Sequence, residues 1–201
     1  MSGFYLAIEG GEGAGKTTVG ALLIQALEAR GEKVVGVREP GSSDLGNEIR
    51  RLVLHWQDMS PWAEAMLYAA QRAQLIRETV GPALAEGRFV VSDRSMYTSL
   101  AYQGGARELG IDAVRSINEL AVEGLIPDLV VVLMVDTATG LSRQRQTDRI
   151  GGETDAFHQK VLDAYRDLAA AEPNRVKLIE VVDGPATVAD EILELIEIAR
   201  G

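Results

Sequence analysis

Cysteine is absent from the 201 residues, which excludes disulfides, thiolate metal sites and cysteine nucleophiles and fits a reducing compartment. Histidine occurs only at positions 55 and 158, and nothing near His55 or His158 suggests metal ligation. Lysine is scarce: Lys16, Lys33, Lys160 and Lys177 stand against 16 arginines. No apolar run approaches the ~20 residues that a membrane helix needs. The amino-terminal stretch has no basic segment before its apolar residues, so neither a membrane span nor a signal peptide is expected. The expectation is a soluble, cytoplasmic protein. Thirty acids against 20 bases give a formal net charge of −10, which argues against nucleic acid or an anionic membrane surface as partner.

With 46% apolar and 25% charged residues, the composition is that of a folded globular chain. The length suits one domain over 1–201 with a small mobile appendage. The arginine skew matters because a guanidinium offers a fixed bidentate fork for carboxylates and phosphates, although codon bias explains many of them equally well.

Apolar runs of strand length alternate with longer helical patterns. Phe4–Glu9, Lys33–Arg38, Phe89–Ser92, Leu129–Val135 and Val176–Val182 are rich in β-branched residues and nearly continuous in apolar character, as strands buried on both faces require. Helical patterns cover Thr17–Arg30, Pro61–Glu86 with a kink at Gly81-Pro82, Ile111–Glu123 and Thr187–Arg200. This alternation predicts an open α/β sheet with right-handed crossovers and ligands at the carboxyl ends of its strands. The least regular stretch, Gln144–Asp155, is polar and contains Gly151-Gly152, and it reads as a mobile lid.

The first strand runs into Gly10-Gly11-Glu12-Gly13-Ala14-Gly15-Lys16-Thr17, followed by Thr18. This is the phosphate-loop pattern in its required place, after a strand and opening a helix. Glycines let backbone N–H groups turn inward as an anion nest, and the helix adds its positive end. Lys16 would reach the β- and γ-phosphates of a nucleoside triphosphate, and the Thr17 hydroxyl can ligand Mg²⁺. Glu12 is out of place among anions, so its carboxylate must face away from the phosphates, toward a hydroxyl of a second substrate or toward solvent. No Asn precedes a Lys, so the base-reading motif of GTPases is missing, and the loop lacks the extra lysine of partition-type ATPases.

The second strand ends in Arg38-Glu39-Pro40-Gly41, a rigid turn with an arginine at the ligand edge. The third ends in Ser92-Asp93-Arg94, where the acid can hold the Mg²⁺ shell or orient an attacking oxygen and the arginine can clamp a phosphate. Asp136 after the fourth strand reads as a helix N-cap. Tyr68 and Arg72, four apart, share one helix side and make a plausible base platform, with a packed tyrosine and a solvated arginine as the generic alternative. Ser99 and Gln103 share a helix side in the same way. In the lid, Arg143, Arg145 and Arg149 have only Asp148 and Glu153 as acidic partners at helical spacing, and a mobile arginine can neutralise a phosphoryl-transfer transition state.

Taken together, EGGEGAGKTT, VREPG, AMLYAAQRAQL, SDRSMYTSLAYQGGAR, LIPDLVVVL and DRIGGETDAFH resemble the thymidylate kinase family over nearly the whole chain, in its order and spacing. The resemblance implies a P-loop nucleoside monophosphate kinase fold: five parallel strands, helices on both faces and a small lid. It also implies ATP, dTMP, Mg²⁺ and a homodimer. By position, Gly10 to Thr18 would hold ATP, and Glu12 would contact the acceptor's 3′-hydroxyl. Arg38 and Arg94, with Arg50, would clamp its phosphate, and Pro40 would pack by its sugar. Tyr68 would stack on thymine, Arg72 would contact O4, and Ser99 with Gln103 would meet the base's other edge. Tyr102 would crowd the 2′ position. Asp93 would position Mg²⁺ and the acceptor phosphate. Some family members carry an arginine in the phosphate loop; here that slot is not basic, so the resemblance places the catalytic arginine in the lid, with Arg149 the best match and Arg143 or Arg145 as substitutes. A kinase for another nucleoside monophosphate and an ATP-hydrolysing nucleotide switch are the alternatives.

Overall fold

The computed structural model describes residues 3–143 and 148–201. Five parallel strands form one sheet: β1 (Phe4–Gly10), β2 (Val34–Arg38), β3 (Phe89–Asp93), β4 (Leu129–Met134) and β5 (Val176–Glu180). Their spatial order is β2-β3-β1-β4-β5. They are the five apolar runs of the sequence, with ends displaced by one or two residues. β1 and β4 are buried along their whole length because each has a strand on both edges and helices on both faces.

Side chains alternate across the sheet. Phe4, Leu6 and Ile8 enter one core with Phe89, Val91 and Val131, and α1 (Lys16–Ala29) and α9 (Pro185–Arg200) close that core. Tyr5 and Ala7 enter the other core with Val90, Val130 and Val132. That side is covered by α3 (Pro61–Leu75), α6 (Ile111–Val122) and α8 (Asp155–Ala171). Each fully buried Leu or Ile contributes about 1.5–3 kcal/mol.

The register positions the site. Ile8 and Arg38 both lie opposite Asp93, so the ends of β1, β3 and β2 form one row. The loops that follow them therefore project into the same space.

Several helices begin at side-chain caps: Ser43 Oγ accepts from Gly46 N at α2 (Asp44–His55), Ser60 caps α3 ahead of Pro61, and Thr154 caps α8. Asp136 caps α7 (Thr137–Ser142), as its position after β4 suggests. Gly81-Pro82, where a kink is expected, does not end the helical run. α3 passes through a π turn (Ile76–Val80) into α4 (Gly81–Ala85), and Gly81 N–H donates to Ile76 O. The widened turn takes up the strain of Pro82, which has no N–H to donate, without ending the helix. A second π stretch (Leu100–Ala106) continues α5 (Met96–Ser99).

The loop after β1 is pressed against α7. A Cβ on Gly13 would meet Gly140 O at 1.9 Å, and one on Gly140 would meet Glu12 O at 2.4 Å. Two backbones cannot yield as a flexible side chain does. Gly140→Ala should therefore lower the melting temperature by about 2–12 °C, for an overpacking cost of roughly 1–3 kcal/mol. Differential scanning calorimetry checks this, and an unchanged melting temperature would mean that the two backbones are further apart in solution.

Candidate active site

The phosphate loop is shaped for an anion. Gly15, in the left-handed region at φ 90°, is the N-cap of α1 and brings no side-chain acceptor, so the helix's first N–H groups have no capping partner from it. Lys16 lies across the loop, its Nζ donating to Gly10 O at 3.1 Å and Gly11 O at 2.7 Å. Burial and the nearby charge of Arg94 push its ammonium down to about 8, against the pull of Glu12 and Asp93. Thr17 Oγ1 donates to Asp93 Oδ2 at 2.7 Å, so a hydroxyl and a carboxylate oxygen meet at the loop's edge. That is a hard-oxygen pair of the kind that suits Mg²⁺ alongside phosphate oxygens. Among the described residues no cluster of three His, Asp or Glu stands ready to hold a metal by itself.

Arg94 occupies the junction. It is a non-glycine residue at φ 75°, held there by its N–H on Ile8 O at 3.0 Å. Its Nη2 donates to Glu12 Oε1 at 2.6 Å and its guanidinium lies 5.3 Å from the centre of the Tyr102 ring. Its Nη1 is buried with no hydrogen-bond partner. Burial alone would raise the Glu12 carboxyl, yet Arg94 and Lys16 bring it down to about 2. Tyr102 Oη also donates to Glu12, at 3.2 Å.

Two cavities meet here. The larger, about 640 Å³, runs along the phosphate loop past Arg38, Asp93 and Arg143. The smaller, about 70 Å³, is walled by Pro40, Leu54, Tyr68, Thr98, Tyr102 and Gln103 and covered by Asp148 and Ile150. Glu12, Arg50 and Arg94 line both. Arg50 Nη1 donates to Pro40 O at 3.1 Å, and burial and the charge of Arg38 lower its pKa. Gly13 to Thr18 line the larger cavity, whereas Gly10 and Gly11 serve as carbonyl acceptors for Lys16 behind it.

Two expected site residues lie behind the smaller cavity. Arg72 is not on a solvated face: it is 1% exposed. Its Nε donates to Glu39 at 2.6 Å, its Nη1 to Ser99 Oγ and Asn118 Oδ1, and its Nη2 to Ser95 O. Ser99 is equally enclosed. A buried guanidinium needs this many partners, and they come from the turn after β2, from α5 and its N-cap, and from α6, all distant in sequence.

Arg149 also differs from expectation. Its Nη2 donates to Glu64 and its Nε and Nη2 to Val53 O at 3.0 and 2.8 Å, which docks its segment on the end of α2 rather than over the phosphate loop. Arg143, exposed, lines the larger cavity instead. Arg145 lies outside the described residues. His55 is exposed and His158 is buried, its Nε2 without a partner.

Residues that composition and spacing passed over include Glu39, Glu64, Thr98 and Asn118. Glu64, in the first turn of a helix, carries the signature of a solvated acid favoured by the helix dipole, and no local signal marks it for burial.

The family model described as thymidylate kinase matches residues 8–192. A thymidylate kinase of Clavibacter sepedonicus is 43% identical over 197 residues, covering 96% of this chain and 93% of its own length. One from Bifidobacterium longum is 44% identical over 186 residues, covering 90% of each. The crystal structure of a thymidylate kinase from Ehrlichia chaffeensis superposes with a TM-score of 0.82 at 24% identity, covering 98% of this chain and all of that one, a likeness of fold. With its parallel sheet, its phosphate loop and these full-length relatives, the chain belongs to the thymidylate kinase family.

Proposed function

We propose that this protein transfers the γ-phosphoryl group of ATP to the phosphate of dTMP, giving ADP and dTDP. The observation that carries this reading is the pair of adjoining cavities sharing Glu12, Arg50 and Arg94. A hydrolytic switch needs one nucleotide site and a water; two sites that meet at half-buried arginines suit transfer between two phosphorylated molecules.

In this reading the larger cavity takes ATP. Lys16 and the uncapped N-terminus of α1 neutralise its β- and γ-phosphates. Thr17 and Asp93 would hold Mg²⁺, whose positive charge would offset that of the phosphates. The unpartnered Arg94 Nη1, with Arg38 and Arg50, receives the phosphate of dTMP, while Glu12 and Tyr102 face its sugar beside Pro40. Tyr68 and Gln103 face the base, and Arg72 and Ser99 support that wall from behind. The acceptor phosphate is already ionised at neutral pH, so the reaction needs no strong general base, consistent with the lack of a histidine at the cavities.

The smaller cavity is below the 300 Å³ at which ligand pockets ordinarily begin, so the segment at Asp148–Ile150 withdraws to admit dTMP and then covers it. Arg143 is the arginine placed to meet the transferring group, and Arg149 belongs to the acceptor's cover. The proposal is completed by a cytoplasmic location and a homodimer, readings that family membership supports.

Three measurements test it. Steady-state rates with dTMP, dUMP, CMP and AMP should give dTMP the highest kcat/KM, with ADP release dependent on the acceptor; ADP release without that dependence would establish a hydrolytic switch instead. R143A should reduce kcat by at least about 100-fold with little change in the KM for dTMP, the pattern of an interaction made in the transition state. R149A should act mainly on that KM, and the reverse pattern would exchange the two roles. For Lys16, binding of a phosphate raises the ammonium's pKa, so a proton is taken up wherever the free lysine is neutral, above about 8. ADP affinity should then be flat below that pH and fall above it, approaching tenfold per pH unit. Calorimetric titrations across pH 6–10 read this directly, and the dependence should vanish in K16M.

A further inference from the structure

Glu64 is buried at the start of α3, and its carboxylate joins three parts of the chain. Oε1 accepts from Gln103 Nε2 at 2.7 Å and from Arg107 Nε at 3.3 Å. Oε2 accepts from Arg107 Nη2 at 3.3 Å and from Arg149 Nη2. Facing two guanidiniums, these oxygens serve only as acceptors. The Gln103 amide must therefore turn its NH₂ toward Glu64, because the flipped amide would set oxygen against oxygen.

The consequence lies on the other side of the amide. Gln103 is 1% exposed, lines the smaller cavity, and its Oε1 is left with no hydrogen-bond partner. A buried carbonyl without a donor costs free energy until a ligand supplies one. A 2,4-dioxopyrimidine has a ring N–H at N3 and supplies that donor; a 4-aminopyrimidine has a bare ring nitrogen there and sets two acceptors face to face.

We propose that Glu64 is a positioning residue for base selection: by holding the Gln103 amide in one orientation, it presents a carbonyl to the acceptor base and makes the site choose a ring N–H over a ring-nitrogen acceptor. The proposal rests on the reading that the smaller cavity receives the base of dTMP. The same carboxylate is anchored by Arg149, beside the Asp148 and Ile150 that cover the cavity, and by Arg107, which also holds Glu153 at 2.6 Å. The orientation of the amide is thus secured where the acceptor is enclosed. An amide in place of Glu64 could offer either an oxygen or an NH₂, and Gln103 would be free to flip.

The experiment compares kcat/KM for dTMP and dCMP in the unmodified enzyme, E64Q and E64D. E64Q removes the acceptor-only character; E64D keeps the charge for the two arginines but withdraws the oxygens from Gln103 by one methylene. In both, the preference for dTMP should shrink by about tenfold or more, through a higher KM for dTMP with dCMP turnover unchanged or raised. The double swap E64Q/Q103E restores a hydrogen bond between the two positions and an oxygen facing the cavity, and should recover most of the preference. Equal losses for both nucleotides would assign Glu64 a purely structural role and overturn the inference, while leaving dTMP as substrate. No preference for dTMP over dCMP in the unmodified enzyme would instead overturn the substrate reading. If E64Q does not fold, the ratio in E64D decides.

Discussion

The ion pair between Glu12 and Arg94 is the contact on which the site depends. It joins the loop after β1 to the loop after β3, and it exists because those strands are parallel neighbours in a register that sets Ile8 opposite Asp93. Lys16 and Arg94 are close enough for the arginine to depress the lysine, so without Glu12 the junction would hold buried positive charge with too little to balance it. In the proposed reaction incoming phosphates supply that balance; Glu12 supplies it in their absence. The carboxylate that looks misplaced in a phosphate loop is what allows two cations to be assembled beforehand.

The same principle recurs behind the cavity walls. Glu9 at the end of β1 accepts from Ser95 Oγ, the Thr98 backbone and hydroxyl, and Tyr165 Oη, tying the central strand to α5 and α8. Glu39 after β2 accepts from Gln71 and Arg72. Glu64 accepts from Gln103, Arg107 and Arg149. A buried carboxylate contributes little net stability, since desolvation offsets most of its attraction to its partners. What it provides is direction: each partner is held at one angle, with Glu9 behind Thr98 and Glu64 behind Gln103 at the smaller cavity and Glu39 itself lining the larger. Together they keep the walls of the two cavities from relaxing into alternatives.

The local features of the chain were readable in advance, and for one reason: they are short-range. The phosphate loop needs its glycines, lysine and threonine within a few residues, and the strand ends at Arg38, Asp93 and Arg94 follow from apolar runs that stop where a charge begins. Helix-period arguments paired Tyr68 with Arg72 but could not say which side faced the sheet. Arg72 was legible as a useful arginine and not as a buried one, because its partners Glu39, Ser95, Ser99 and Asn118 are 23 to 46 residues away. Arg149 likewise lacked a visible acid, since Glu64 lies 85 residues before it.

The sequence alone determined the class of chemistry: a parallel α/β sheet, a nucleoside triphosphate loop after its first strand, and a second set of arginines at the neighbouring strand ends. Periodicity and motif spacing carry that information because backbone geometry converts them directly into local structure. Only the tertiary structure decided which charges meet. Parallel register brought Arg94 to Glu12, helix packing enclosed Glu64 against Gln103, and docking on α2 drew Arg149 away from the phosphate loop and left Arg143 there. Such pairings depend on which faces are turned together across dozens of residues, and in a buried site the gain from each pairing falls off too steeply with distance for spacing along the chain to reveal it.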